Sequence, residues 1–318
     1  MPSSASLVVV LGTGGTIAGT AARPQDHLGY TAGALSAADL LAAVPALAGQ
    51  ALESESLAQL DSCDMDHATW AHLAQAVQRH LARPEVCGVV ITHGTDTLEE
   101  TAFFLHHTVQ APKPVVLTAA MRPATAPSPD GPQNLVDACT VARDAHARGV
   151  VAVLGGQVLA GADLRKLHGY RVDAFGAGDA GPLALVQDSH IRLLRDWPAS
   201  QPGHGAVLAL DPVQWPVVDI VTSHAGARGA TVDALVAAGA RGLVVAGTGN
   251  GSVHAELLSA LRRVQAQGVQ VLRASRCLAG GVVGAPDGAL PTAGDATPAQ
   301  ARVLLMLQLM QNQPLLAP

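Results

Sequence analysis

The chain has 318 residues, with 19 Lys plus Arg against 25 Asp plus Glu and a formal net charge of -6. Only 14% of residues are charged and 49% are hydrophobic, against about 25% charged in an average soluble protein, a shortfall that buried subunit interfaces would explain. No basic run exceeds Arg165-Lys166, which excludes nucleic-acid binding by charge neutralisation, and apolar runs such as Leu7 to Leu11 and Val303 to Met306 fall far short of the roughly 20 residues of a bilayer-spanning helix.

The opening Met-Pro-Ser-Ser-Ala-Ser has no Lys or Arg, and the apolar run behind it ends at Gly12. A secretory signal is therefore not expected, and the chain reads as cytoplasmic, or as periplasmic if this start is not the natural one. Leu7 to Leu11 reads as a first strand. Ser36 caps a helix through Val44, and Asp66 to Leu81 places Trp70, Leu73, Val77 and Leu81 on one helical face. Gly88 to Thr92 is a strand, Leu98 to about His107 a helix, Val115 to Thr118 a strand, Gln133 to Ala147 a helix and Val150 to Leu154 a strand. This alternation is that of parallel βαβ units. Residues 1–195 are thus expected to form the larger, doubly wound α/β domain on a parallel or mixed sheet. Pro and Gly then concentrate around Trp197-Pro198 and at Pro212 and Pro216, which makes 196–216 a linker. Val217 to Val221, a helix from Thr231, Leu243 to Ala246, a helix from His254, Val269 to Leu272 and a last helix from Pro298 to Met310 make a smaller C-terminal α/β domain over 217–318.

Cys63, Cys87, Cys139 and Cys277 are scattered without a CxxC pair or metal-ligand spacing. At least three are expected to be buried thiols, no metal site is expected, and Asn250-Gly-Ser252 reads as an accidental glycosylation match.

Two segments follow strands and are rich in hydroxyls. Gly12-Thr-Gly-Gly-Thr-Ile-Ala-Gly19 fails the dinucleotide fingerprint, because the sixth position counted from Gly12 is Ile17, and no Walker lysine follows. What remains is a flexible turn at the carboxyl end of a strand, where open α/β sheets bind ligands. Thr16 there is either a nucleophile or a threonine satisfying backbone groups of a tight turn. Thr92-His-Gly-Thr-Asp-Thr97, before Glu99-Glu100, is either a second functional turn or a helix start with acids favoured by the dipole. Two such turns at neighbouring strand ends would face one crevice.

Leu11-Gly-Thr-Gly-Gly-Thr-Ile-Ala-Gly19 and Ile91-Thr-His-Gly-Thr-Asp-Thr-Leu-Glu-Glu-Thr-Ala102 resemble the two signature segments of bacterial L-asparaginases, the threonine amidohydrolases. Ala120-Met-Arg-Pro123, Asp130-Gly-Pro132 with Asn134-Leu135, Gly247-Thr-Gly-Asn-Gly-Ser252 and Ala301-Arg-Val-Leu-Leu305 extend the resemblance over nearly the whole chain. It implies hydrolysis of the side-chain amide of L-asparagine to L-aspartate and ammonia through an acyl-threonine, with weaker glutaminase activity, no cofactor and no metal. It also implies a homotetramer with sites at a dimer interface. Thr16 is the implied nucleophile, and Tyr30 polarises its hydroxyl. Thr95, Asp96 and Lys166 form a second constellation that handles protons at the attacked carbonyl. Gly15 and its turn supply backbone donors, Ser62 holds the substrate's α-carboxylate, Asp96 its α-ammonium, and the carbonyl of Ala120 accepts from the leaving amide nitrogen. The chemistry fits these residue types: a threonine hydroxyl needs an adjacent base, and the developing oxyanion needs fixed donors. Against this stands an exposed loop lysine beside Arg165, the ordinary state of lysines.

The chain departs from the family in three places. Cys63 stands where the family carries an amide or carboxylate that meets the substrate's ammonium, and thiols are weak hydrogen-bonding groups. The stretch Ala279 to Gly284, where many members present a glutamate to a neighbouring subunit's site, has no acid, and Asp287 is the nearest substitute. The family's disulfide has no counterpart, because Cys87 lacks a partner near Gln110 or Ala111. The rival readings are an amino-acid-binding module or amidase subunit of this fold, a hydrolase of a related ω-amide, and a nucleotide-dependent enzyme that the failed glycine count weakens.

Overall fold

The structure, a computed structural model, describes residues 6–21, 23, 30–198, 205–284 and 288–311. The chain forms two compact units, Met1–Leu208 and Ala209–Pro318.

The first unit is built on β1 (Leu7–Gly14), α1 (Ala37–Ala42), β2 (Leu52–Leu60), α2 (His67–Leu81), β3 (Val86–Thr92), α3 (Leu98–Thr108), β4 (Val115–Thr118), α4 (Gly131–Arg143), β5 (Val150–Leu154), β6 (Gln157–Ala160), β7 (Ala184–Gln187) and β8 (His190–Leu193). The strands lie in the order β8-β7-β6-β5-β4-β3-β1-β2. From β2 to β5 every pairing is parallel, and from β5 to β8 every pairing is antiparallel. This is the mixed α/β sheet the sequence predicts. The parallel strands inside the edge, β1, β3, β4 and β5, are largely apolar and buried because helices cover both faces. α1 and α4 pack with Val8, Val10, Val90, Val116 and Val151 into one cluster. On α2 and α3, Trp70 stacks on Phe104 with ring centroids 5.0 Å apart. The chain leaves β1 for β2 on one side and returns to β3 on the other, so the order reverses at the carboxyl ends of β1 and β3, the position where such sheets leave a crevice.

Local chemistry sets the helix boundaries. Ser36 and Asp39 form a reciprocal capping box on α1. That helix stops at Ala42, short of the predicted Val44, because Pro45 forces the residue before it out of the helical region. Asp66 caps α2 by accepting from Thr69 N–H at 2.7 Å, and all four residues predicted for its inner face are buried. α4 starts at Gly131 and ends at Arg143 rather than spanning 133–147: Pro132 suits a first turn, and Asp144 turns its carboxylate onto the N–H groups of His146 and Ala147 at 2.7 and 3.1 Å.

β2 is the one long strand absent from the predicted series. Its sequence Leu-Glu-Ser-Glu-Ser-Leu-Ala-Gln-Leu sits at the sheet edge, half-covered, with Glu53 paired to Arg83 and Glu55 to Arg79 and His80. Charged side chains are how an edge strand resists further pairing. The cysteine expectation is overturned: Cys139 is buried, Cys87 is half-buried with its thiol toward the carbonyl of Leu7 at 3.3 Å, and Cys63 and Cys277 are exposed. All four are unpaired.

In the second unit β9 (Val218–Thr222), β10 (Gly242–Gly247) and β11 (Gln270–Ser275) form a parallel sheet in that order. α5 (Ala230–Ala237) and α6 (Ala255–Ala266) cover the face of Leu243 and Val245. α7 (Pro298–Met310), capped by a Thr297/Gln300 box, packs Leu305 and Leu309 over Gly242 on the other. Asn250 grips Val283 with both ends of its amide, at 2.8 and 2.7 Å.

Leu135 on α4 is fully buried in the first cluster. Leu135→Ala is expected to destabilise the first unit by about 2–5 kcal/mol, measured by denaturant unfolding; a loss below about 1 kcal/mol would contradict this packing.

Candidate functional site

β1 runs into Gly14 and Gly15, both with positive φ (103° and 81°), and then a short 3-10 turn of Thr16–Ala18. A side chain fits at neither glycine. A Cβ at Gly14 would lie 2.5 Å from the carbonyl oxygen of Leu60, and one at Gly15 only 2.3 Å from Cα of Gly94. At Gly94 a Cβ would lie 2.3 Å from the Ser62 hydroxyl. The carboxyl ends of three adjacent strands, β2, β1 and β3, therefore meet, backbone to backbone at Gly14–Leu60 and Gly15–Gly94 and backbone to side chain at Gly94–Ser62. The contact is secured by Gly15 N–H donating to Leu60 O at 3.0 Å and Thr13 Oγ1 donating to Thr92 O at 3.1 Å. Thr16 and Thr95 each follow one of the two glycines in contact, and each is only 7% exposed.

Lys166 belongs to a two-residue ladder, Arg165–Lys166 against Phe175–Gly176. Its Nζ donates to Thr95 Oγ1 at 3.0 Å and to Asp96 Oδ1 at 2.5 Å, and its side chain is 19% exposed. This corrects the exposed-loop-lysine alternative. Its backbone N–H donates to Glu99 Oε2 at 2.9 Å. Burial raises the Glu99 carboxyl above its ordinary range, and the Lys166 N–H opposes that rise.

Ser62 is buried in the turn Ser62–Asp64. Its Oγ accepts from Asp96 N–H at 3.0 Å, and its carbonyl accepts from Thr97 Oγ1 at 2.8 Å. The serine thus fixes where the Asp96 backbone lies, with its hydroxyl proton left to donate. Beside it Cys63 is exposed, its thiol raised above the usual value by desolvation and then by the negative field of Asp61, Asp64 and Asp96. Asp61, Cys63 and Asp96 offer ligand atoms within 4.8 Å of one another. With Asp96 already paired to Lys166, this group forms a negative rim suited to a cationic head group.

Ala120, after β4, forms a further wall. Asp130 at the start of α4 accepts from the N–H groups of Met121 and Arg122 at 2.9 and 3.0 Å, and Asn134 donates to Ala119 O at 2.9 Å. Ala120 joins Ile17, Ala18 and Leu40 in one apolar cluster, and a Cβ at Gly131 would press to 2.9 Å from Ile17 and 3.3 Å from Ala120. Gly15, Thr16, Ser62, Cys63, Thr95, Asp96 and Ala120 lie on the loops that follow β1, β2, β3 and β4, and Lys166 reaches Thr95 and Asp96 from its separate ladder. Tyr30 pairs by its backbone with Ala21; its side chain, like Asp287, lies outside the described residues. Sequence reading passed over Glu99, Asp130 and Asn134 as supports, although the Asp130-Gly-Pro spacing is itself a helix-start signal.

Two family models cover the chain: asparaginase, N-terminal, over residues 7–199, and glutaminase/asparaginase C-terminal domain over 217–315. The chain is 35% identical to a glutaminase-asparaginase of Pseudomonas fluorescens biotype A, over 96% of this chain and 87% of that protein. It is 36% identical to L-asparaginase 2 of Escherichia coli K12, over 96% and 89%. Among solved structures it is similar to a probable cytoplasmic L-asparaginase from Campylobacter jejuni, with a TM-score of 0.88, 36% identity and coverage of 96% and 95%. In fold, in both domain matches and in relatives along almost its full length, the chain is a member of the asparaginase family and an amidohydrolase.

Proposed function

We propose that the protein hydrolyses L-asparagine to L-aspartate and ammonia, with glutamine as the slower substrate, through an ester on Thr16. The observation that carries this reading is Lys166 Nζ held between Thr95 Oγ1 and Asp96 Oδ1, on the loop whose Gly94 meets Gly15. Thr16 Oγ attacks the amide carbon, with Tyr30 polarising its hydroxyl as the family resemblance implies. Backbone donors of the Gly14–Gly15 turn steady the oxyanion, the C–N bond breaks, and the amide nitrogen leaves as ammonia after taking up a proton. The leaving nitrogen donates to the carbonyl of Ala120. Water beside Thr95, whose hydroxyl Lys166 orients, then adds to the ester carbonyl, and its proton passes to the departing Thr16 oxygen, which releases the carboxylic acid and restores the hydroxyl. Ser62 donates to the α-carboxylate, and Asp96 takes the α-ammonium. We further place the enzyme in the cytoplasm as a homotetramer with sites at a dimer interface. Its four unpaired cysteines suit a reducing compartment, and its low charged fraction suits buried subunit contacts.

Thr16→Ala is expected to lower ammonia release from L-asparagine by on the order of a thousandfold or more with the melting temperature unchanged; retention of a tenth of the activity would contradict the nucleophile. Cys63→Gln restores a strong hydrogen-bonding group toward the ammonium. It should lower KM for asparagine by about 2–10-fold, the range one hydrogen bond supports, and an unchanged or higher KM in steady-state kinetics would refute that contact.

A further inference from the structure

Behind the Thr95 loop lies a buried hydrogen-bond chain drawn from three elements. Trp70 of α2 donates through Nε1 to Thr101 Oγ1 at 2.9 Å, Thr101 of α3 lies 3.0 Å from His93 Nε2, and His93 Nδ1 lies 2.7 Å from the carbonyl oxygen of Gly94. All three side chains are buried. Every direction in the chain is determined. An indole can only donate and a carbonyl can only accept, so His93 carries its proton on Nδ1. Desolvation holds the His93 imidazole down at about 4, so it is neutral near pH 7 and its Nε2 is bare. The Thr101 hydroxyl must then donate to Nε2 while it accepts from Trp70.

The chain ends at the peptide that carries Thr95. The Gly94 carbonyl belongs to the Gly94–Thr95 peptide, and Gly94 is the residue against which Gly15 leans. His93 N–H is also tied to Thr118 O at 2.9 Å on β4. We infer that Trp70, Thr101 and His93 are positioning residues: their one-directional chain sets the tilt of the Gly94–Thr95 peptide and thereby the placement of the Thr95 hydroxyl relative to Thr16. This inference rests on the reading of Thr16 and Thr95 as the pair that handles the substrate's amide. A hydrophobic isostere at Thr101 would fill the same volume, so packing alone does not call for the hydroxyl.

The test compares wild type with Thr101→Val, Thr101→Ser and Trp70→Phe for kcat and KM on L-asparagine and for thermal melting. The His93 tautomer is read from nitrogen-15 shifts of histidine-labelled protein, assigned by difference against His93→Gln. Thr101→Val should lower kcat by about 10–100-fold, the scale of a small misplacement of reacting groups, and leave KM within about threefold. Thr101→Ser, which keeps the hydroxyl, should recover kcat to within about threefold, Trp70→Phe should fall between, and His93 should be the neutral Nδ1–H form at pH 7. A folded Thr101→Val with kcat within about twofold of wild type, or an effect on KM alone, would overturn the inference. Should Thr101→Val fail to fold, the decision passes to Trp70→Phe, whose wild-type kcat would overturn it, and to the tautomer, where an Nε2–H or charged His93 would do the same. A wild type that releases no ammonia from asparagine would defeat the functional reading instead, and the tautomer would still decide whether the chain exists.

Discussion

The site depends on one steric constraint: a Cβ on Gly15 would fall 2.3 Å from the Gly94 backbone, and a Cβ on Gly94 would fall 2.3 Å from the Ser62 hydroxyl. Loops at the switch point of a parallel sheet can approach this closely only where the residue at the contact has no Cβ turned toward its neighbour, which glycine guarantees. Each glycine hands its chain to a nearly buried threonine, so the contact that costs conformational freedom also sets Thr16 and Thr95 one residue beyond it on either loop. Gly14 against Leu60 and Gly94 against Ser62 extend the constraint to the edge strand, which brings the serine turn into register with the other two loops.

Around that contact the protein places charge in a definite order. Lys166 sits inside, half-enclosed and shared between Thr95 and Asp96, its backbone held by Glu99. Asp96, Asp61 and the thiol of Cys63 stand at the outer rim. On the proposed reading, a zwitterionic amino acid would meet this negative rim with its ammonium and the buried hydroxyls with its amide. On the proposed reading Cys63 is the weak point of this pattern, because its thiol, raised by desolvation and then by the neighbouring carboxylates, is a poor acceptor.

Much of this was legible in the residue order. Strands such as Val115–Thr118 and Val150–Leu154 are continuous apolar runs because both faces are covered, and they stand out for that reason. The Leu52–Leu60 strand did not, because an edge strand that carries paired glutamates has neither a continuous apolar run nor a clean alternation. The antiparallel pair Ala184–Gln187 and His190–Leu193 escaped likewise, its outer strand largely exposed. At the site, hydroxyl and glycine spacing marked both loops. The lysine was not legible from local pattern, since what removes Lys166 from solvent is a two-residue ladder with Phe175 and Gly176 and a partner seventy positions away. The supports His93, Thr101, Asp130 and Asn134 were hidden for the same reason: their role lies in hydrogen bonds between elements, which no periodicity records.

The Gly15–Gly94 contact should make Thr16 and Thr95 two sides of one amide-sized space. A crystal structure of the protein with L-aspartate bound decides this. The side-chain carboxylate is expected within hydrogen-bond reach of both threonine hydroxyls, with the ammonium at Asp96 and the α-carboxylate at Ser62. A ligand that touches only one of the two threonines, or that binds elsewhere, would contradict it.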